Sequence, residues 1–501
     1  MAEEKITLIY VQDYLLDGQI NQYVSEEMNI PLGVLYLGSY LKRNNFKARI
    51  LDTRLYTQNN FFKILSKELE DTLVVGLSVM TPCVKNALEI TKFIKSFDDK
   101  IKTVWGGVHP TLYPESTIRN KYIDFVITYE GEFALFFLIR YLLKDLNNID
   151  FIPNLVFIKD NQIFKNEQRL IDNLEEVGIP DYSLMEIEKY INRFIKPDIF
   201  RRQVELITSR GCPHHCAFCI NSINKVSYRY EPLSQTLLNL DNVIYKYNVN
   251  HIFFMDEDFF CNRHRMEPLI EELRKRKITW ESNCRADYIN SNYIDNEFLE
   301  RLKESGCVKL RFGLESGSQR VLDLLEKGIT VDQSIKVIKT LKPHRIIPSV
   351  SFMMGIPEEK PSDVIKTLKL ILKLYSINPD IDIIGPLIFR PYPGSKLFLK
   401  CQEKGLTLPE ELDEWSDFYI HNFLEEYKNG LIWFPYEWIF KRVFICIGYL
   451  RMGIKFRFLR PLFIFIIKLH LLTKLRFIQF DYRFYKSIKR LFGWILRKKK
   501  C

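Results

Sequence analysis

The chain has 501 residues, with 72 Lys and Arg against 62 Asp and Glu, 47% hydrophobic residues and 14% aromatic ones. At roughly 100–200 residues per domain, this length corresponds to about three domains, each able to bury its own core. The charged and apolar fractions exclude a disordered or collagen-like chain. Ten cysteines over this length are too few for a disulfide scaffold. The chain starts MAEEK and the apolar run that follows is short. No signal peptide is therefore expected, the compartment is expected to be the cytoplasm, and a tight cysteine cluster reads as metal-binding or catalytic. The net charge of +10 is uneven. Residues 431–501 hold 17 Lys and Arg against Glu437 and Asp481, a local net of +15, so the first 430 residues carry −5. A basic partner surface is an expectation for that tail alone.

Residues 1–148 alternate short β-rich runs (6–11, 47–51, 73–79, 103–105 and 125–128) with helical spacing over 31–41 and 84–94. This rhythm predicts a doubly wound α/β domain with a mostly parallel sheet. Ligands of such sheets bind at the carboxyl ends of strands. Three loops lie there: one around Thr81, one holding Gly106 and Gly107, and Glu130-Gly131-Glu132. Residues 149–203 read as a connector with one hairpin, 155–158 and 162–164. A second α/β series spans 204–415, with strands near 204–208, 250–255, 279–283, 308–313, 347–353 and 381–386. Six such units predict a partial barrel or an open sheet. Residues 416–501 turn to helical patterns rich in Phe, Tyr, Lys and Arg.

The strongest signal is TSRGCPHHCAFC at 208–219, which sets Cys212, Cys216 and Cys219 within eight residues on a loop leaving a strand. A zinc site needs a fourth ligand, for which His214 or His215 is at hand, but no second half follows at finger spacing. A redox pair uses only Cys216 and Cys219 and leaves Cys212 unexplained. An iron–sulfur cluster held by three cysteines leaves one iron open to a small molecule. The plain alternative is three inert core cysteines.

The Cys-x3-Cys-x2-Cys spacing after the first strand of a partial barrel, with Phe218 before the third cysteine, resembles the radical S-adenosylmethionine superfamily. The resemblance implies that Cys212, Cys216 and Cys219 bind a 4Fe–4S cluster. Its open iron takes the amino and carboxylate groups of S-adenosylmethionine, and one electron then cleaves the sulfonium to a 5′-deoxyadenosyl radical. The resemblance continues for about 200 residues. It implies that Phe218 lies against the adenine, that Asp256 and Glu257 approach the methionine amino group, and that Arg285 pairs the methionine carboxylate. Glu315 falls near the ribose. Ser351 falls at the adenine contact of a G-x-I-x-G-x-x-E pattern, in which Ser351 and Met353 replace Gly and Ile.

The first domain resembles the cobalamin-binding domain of B12-dependent radical enzymes, a flavodoxin-like fold. This implies a cobalamin site built on Thr81, Gly106, Gly107, Glu130, Gly131 and Glu132. The cobalt-ligating pattern Asp-x-His-x-x-Gly is absent, and the first histidine of the chain is His109. His109 therefore reads as a packing or capping residue ahead of a metal ligand. The fold class that results is α/β: a flavodoxin-like (Rossmann-type) cobalamin-binding domain, then a partial (β/α)6 radical barrel, then a helical C-terminal region.

The resemblance implies an enzyme using a 4Fe–4S cluster, S-adenosyl-L-methionine and cobalamin. The expected reaction is methylation of an unactivated carbon or phosphorus, with a radical cyclisation or rearrangement as the alternative. Outside the class, the alternative is an iron–sulfur binding or sensor protein. Expected partners are a small-molecule or lipid substrate and an electron donor such as flavodoxin or ferredoxin; no nucleic acid is expected. The remaining cysteines are scattered singly and read as core residues. The tail is too interrupted to span a membrane: its longest apolar run, 461–467, is far below the ~20 residues needed. It reads either as a basic amphipathic helix at the inner face of the membrane, helped by the RKKK run at 497–500, or as a helical cap on the barrel.

Overall fold

A computed structural model of the chain describes residues 5–13, 28–191, 202–224, 226–419, 431–455 and 457–472. Two compact units emerge. The first comprises Met1–Cys212, Val226–Trp280 and Thr407–His421; the second comprises Pro213–Lys225, Glu281–Leu406 and Asn422–Cys501.

In the first unit, strands β1 (Lys5–Tyr10), β2 (Lys47–Asp52), β3 (Thr72–Ser78), β4 (Lys102–Gly106) and β5 (Phe125–Ile127) are all parallel and ordered β2-β1-β3-β4-β5. This is the flavodoxin-like order, with its crevice where β1 meets β3. The strands are apolar runs because helices cover them: Ile9, Val75, Leu77 and Trp105 lie in one core with Val84, Ala87 and Ile94 of helix Val84–Phe97. Strands β6 (Leu155–Lys159) and β7 (Gln162–Lys165), read from sequence as a hairpin inside the connector, extend this sheet, β6 pairing antiparallel with β5 and β7 antiparallel with β6. Asp160 and Asn161, both at positive φ, form their two-residue turn. The end of the connector, at 192–201, lies outside the described residues.

The second series comprises β8 (Gln203–Leu206), β11 (His251–Phe254), β12 (Thr279–Asn283), β13 (Cys307–Glu315), β14 (Ile347–Met354) and β15 (Asp382–Ile388). They are ordered β8-β11-β12-β13-β14-β15 in one six-stranded sheet. Pairings β8–β11, β13–β14 and β14–β15 are parallel. Each strand is followed by a helix, as parallel crossovers require. Helix Val331–His344 begins on a capping box of Thr330 and Gln333. Between β8 and β11, the two-residue strands β9 (Ser209–Arg210) and β10 (Arg229–Tyr230) pair antiparallel.

The start of the tail packs within the second unit. Trp433 Nε1 donates to the Gly355 carbonyl at 2.8 Å, and helix Glu437–Lys455 buries Ile439, Phe440, Val443 and Tyr449. That is the behaviour of a cap at the end of β14. None of the described helices is long and apolar enough to cross a membrane. The basic run at 497–500 lies outside the described residues, as does Cys501.

Candidate active site

In the first unit, Asp256 is a buried tie between strand ends. It accepts the Thr208 N–H at 3.2 Å, the Thr208 hydroxyl at 2.8 Å and the Ser209 hydroxyl. Arg265 backs it at 3.8 Å and donates to the Thr208 carbonyl at 3.0 Å. Burial pushes the Asp256 carboxyl up, opposed by Arg265 and these hydrogen bonds. Asp256, expected at the methionine amino group, therefore orients the peptide that leads to Cys212. Gly211 must be glycine: its φ is +82°, and a Cβ there would lie 2.3 Å from the Ser227 carbonyl oxygen. Cys212 Sγ stands 4.0 Å from Asp258 Oδ2. Glu257, the other expected contact, is exposed, whereas Asp258 is buried. Sequence reading missed Asp258 because three consecutive acids give no sign of which one turns inward.

In the second unit, Cys216 and Cys219 close a tight turn, the Cys219 N–H donating to the Cys216 carbonyl at 3.0 Å. Ala217 anchors that turn by accepting from Leu397 N at 3.3 Å and donating to the Leu325 carbonyl at 2.8 Å, in a core with Val321, Ile356 and Phe389. Phe218 projects beside it with Lys327 Nζ 5.8 Å from its ring centre. The same ammonium stands 3.3 Å from Glu315 Oε1. Arg285 donates to both Asp287 oxygens, at 3.0 and 3.1 Å, and to the Lys327 carbonyl at 2.8 Å. Burial works against the Arg285 charge. The hydrogen bonds to Asp287 and the nearby charges of Asp287 and Cys216 outweigh it, and its pKa is raised. Burial pushes the Tyr392 hydroxyl up, and the Cys219 charge adds to it. Phe218, which lies between Cys216 and Cys219, is thus linked through Lys327 to Glu315 and Arg285. Lys327 carried no sequence signal because it lies twelve residues from Glu315. Ser351 lies on β14 opposite Gly313 of β13.

His214, weighed above as a zinc ligand, pairs Nε2 with the Tyr288 hydroxyl at 3.0 Å. Among the described residues, no three His, Cys, Asp or Glu side chains converge on a single-ion site. Cys83, Cys284, Cys307, Cys401 and Cys446 are buried, and burial pushes the Cys83 and Cys401 thiols up to about 12. They are core residues, as expected.

At the strand ends of the first domain, Gly107 has φ +98° and a Cβ there would meet the Val79 backbone at 3.0–3.1 Å. Thr81 opens the short turn Thr81–Cys83, and Gly106 ends β4. His109 is fully buried, its ring 5.3 Å from Tyr113 and 5.5 Å from Trp415. Burial holds its pKa down at about 3, and neither ring nitrogen has a hydrogen-bond partner among the described residues. It is a neutral packing histidine. Gly131 caps helix Glu132–Leu142. Glu130 and Glu132, expected at the cobalamin, spend their carboxylates otherwise. Glu132 is 2.6 Å from Arg210, and Glu130 is 3.3 Å from Arg210 and 2.8 Å from Arg229.

The radical SAM superfamily model matches residues 206–371 and the B12 binding domain model matches residues 24–136. An uncharacterised methyltransferase of Pyrococcus horikoshii is 32% identical over 376 residues, covering 74% of this chain and 77% of that protein. The chain belongs to the B12-binding radical SAM family. The anaerobic magnesium-protoporphyrin IX monomethyl ester cyclase of Rubrivivax gelatinosus is 26% identical over 386 residues, covering 75% of this chain and 66% of the cyclase. The fold is shared with the cobalamin-dependent radical enzyme OxsB solved with aqua-cobalamin, at a TM-score of 0.72 and 20% identity, covering 97% of this chain and 76% of OxsB. It is also shared with the radical methyltransferase TsrM of Kitasatospora setae, at a TM-score of 0.65 and 15% identity, covering 84% and 82%.

The protein is thus a cobalamin-dependent radical SAM enzyme, and its cofactors are a 4Fe–4S cluster, S-adenosylmethionine and cobalamin. The residues present suit them. Cys216 and Cys219 offer soft sulfur ligands in one turn, with the Lys327–Glu315 pair beside Phe218 supplying both charges, and Gly106, whose Cβ position has only the Ile127 carbonyl at 3.5 Å beside it, leaves the end of β4 open to a flat macrocycle.

Proposed function

We propose that this family member transfers a methyl group to an unactivated carbon or phosphorus centre. The observation that carries the reading is the gathering of Phe218, Arg285, Glu315 and Lys327 around Cys216 and Cys219, a constellation with both charges and an aromatic face for a zwitterionic nucleoside. When bound, the cluster supplies the electron that cleaves S-adenosylmethionine, and the corrinoid supplies the methyl group.

The chain's own residues do the rest. Cys212, Cys216 and Cys219 hold the cluster. Phe218 offers an apolar face to the adenine. Arg285 and Lys327 bring positive charge to the methionine carboxylate, and Glu315 accepts from the ribose hydroxyls once Lys327 yields part of its hold. Asp256 fixes the strand end that carries Cys212, and the buried Asp258 stands beside that thiol. On the first domain, Thr81, Gly106 and Gly107 would receive the corrinoid, and His109, buried against Tyr113 and Trp415, would serve as packing and not as a cobalt ligand. An electron donor such as flavodoxin or ferredoxin completes the system.

The match to the Pyrococcus methyltransferase favours methyl transfer, and the match to the cyclase keeps a radical cyclisation as the second reading. Anaerobic turnover with S-adenosylmethionine bearing a trideuterated methyl, in an extract of small molecules and lipids, separates the two. A product carrying the label supports transfer; an unlabelled, hydrogen-depleted product supports cyclisation.

Contact with an anionic membrane is proposed on narrower ground. Phe458, Leu462 and Phe465 are exposed in the segment whose sequence carries a net +15. Co-sedimentation with phosphatidylglycerol vesicles that equals that with phosphatidylcholine vesicles contradicts it.

A further inference from the structure

The loop after β5 reaches the peptide that delivers the first cysteine. Arg210 lies two residues before Cys212, with only Gly211 between them. Its Nη2 stands 2.6 Å from Glu132 Oε1, and its Nη1 stands 3.3 Å from Glu130 Oε1. Glu130 Oε2 takes Arg229 Nη1 at 2.8 Å and the Ile171 N–H at 2.7 Å, while Arg229 also donates to the Ile171 carbonyl at 2.7 Å. Arg210 and Arg229 are register partners on β9 and β10. The Arg210 guanidinium is 5.5 Å from the Tyr36 ring centre, and the Tyr36 hydroxyl donates to Glu231 at 3.2 Å.

This network is shielded: side-chain exposure is 5% at Glu132, 7% at Arg229, 13% at Glu130 and 21% at Arg210. Burial opposes the Arg210 charge, and the two carboxylates more than restore it. Charges held away from water tolerate little rearrangement, because removing one partner strands the other. The chain leaving Arg210 then turns through a left-handed glycine that itself has no room for a side chain. Position at Arg210 is therefore passed on to Cys212 with little slack.

We infer that Arg210 is a positioning residue for the cysteine loop, held by Glu130 and Glu132, so that the corrinoid-facing loop of the first domain and the cluster-holding loop share one joint. The inference rests on the cofactor assignments proposed above. On this inference corrinoid binding tightens the cluster loop, and thermodynamic reciprocity then requires the assembled cluster to tighten corrinoid binding by the same factor.

The test uses the full-length chain reconstituted anaerobically with iron and sulfide. The variants are Glu132→Gln, which keeps shape and removes charge, and Arg210→Lys, which keeps charge and removes the fork. The control is Glu115→Gln, which breaks a surface pair with Lys165 in the same domain. Iron per chain, the EPR line shape of the reduced cluster, iron extraction by a chelator and the thermal midpoint are measured, with and without hydroxocobalamin. Glu132→Gln and Arg210→Lys are expected to assemble the cluster but to show an altered line shape and about tenfold faster extraction, as loss of one charge-assisted hydrogen bond predicts. Glu115→Gln is expected to match the unmodified chain. Hydroxocobalamin is expected to slow extraction from the unmodified chain and to lose that protection in Glu132→Gln.

Line shape and extraction rate unchanged in both variants overturn the inference. So does an effect that Glu115→Gln reproduces. If Arg210→Lys does not fold, the isosteric Glu132→Gln decides alone. A Cys212→Ala variant that keeps full iron contradicts the cluster assignment itself. An unmodified chain with no corrinoid spectrum contradicts the cobalamin assignment, and the extraction rates without hydroxocobalamin still decide whether the joint positions the loop.

Discussion

Lys327 Nζ stands 3.3 Å from Glu315 Oε1 and 5.8 Å from the centre of the Phe218 ring, so one ammonium joins the end of β13 to the turn of Cys216 and Cys219. Glu315 is held at φ +60°, a left-handed conformation that residues other than glycine seldom adopt. The pair is a charge reservoir that S-adenosylmethionine can compete for. Lys327→Met and Glu315→Gln are each expected to weaken S-adenosylmethionine binding about tenfold, the loss of one charge-assisted hydrogen bond, while leaving iron content intact. Equilibrium dialysis against the reconstituted protein measures this, and unchanged affinity in both variants removes the pair from the site.

The three motif cysteines differ from the others in consequence. Cys212→Ala, Cys216→Ala and Cys219→Ala are each expected to abolish 5′-deoxyadenosine formation, because a cluster with two protein ligands loses its defined open iron. Cys261→Ala is expected to keep it, since burial pushes the Cys261 thiol up to about 11 and Asp258 adds to that. Chromatographic assay of 5′-deoxyadenosine in the four variants checks the contrast.

Gly211→Ala places a methyl against the Ser227 carbonyl in a left-handed conformation. The cost is expected to be at least about 2 kcal/mol, taken from the pairing of β9 with β10. Thermal unfolding should show the loss, together with less iron per chain; a variant as stable as the parent would mean that the turn relaxes freely.

Glu359 gives a pH signature. It accepts the Gly355 and Ile356 N–H groups at 2.6 and 3.2 Å, and burial pushes its carboxyl up to about 8. Because the folded value lies above the unfolded one of about 4.3, the folded state binds the extra proton in between. Its contribution to stability is complete below about pH 4 and is lost as pH rises through 8. Glu359→Gln keeps the two acceptor bonds without titrating. The difference in thermal midpoint between variant and parent should therefore grow in the variant's favour from pH 5 to pH 8.5, and a constant difference would contradict the assignment.

Much of this was readable in the residues. A hydrophobic run placed β3 to within a residue, because a strand covered by helices on both faces must be largely apolar. The cysteine spacing singled out its loop unaided. Pairings made only in three dimensions were not readable. Glu130 and Glu132 read as ligand contacts because a strand-end loop is where ligands bind, yet their partners are arginines some eighty to a hundred residues on. Asp258 was passed over for its neighbour Glu257 for a related reason: loop peptides lack a fixed period, so which of two adjacent acids is buried depends on backbone turns that composition does not encode. The 155–165 hairpin read as a connector because a sequence shows a turn without showing which sheet edge it joins.

The measurement that bears most directly on the central claim needs no knowledge of the acceptor. Protein reconstituted anaerobically with iron, sulfide and hydroxocobalamin is reduced and incubated with S-adenosylmethionine, and the nucleoside products are quantified. A radical methyltransferase using both cofactors yields 5′-deoxyadenosine together with S-adenosylhomocysteine, the second product appearing only when the corrinoid is present. Formation of 5′-deoxyadenosine with no S-adenosylhomocysteine at any corrinoid loading would contradict methyl transfer and leave the cyclisation reading in its place.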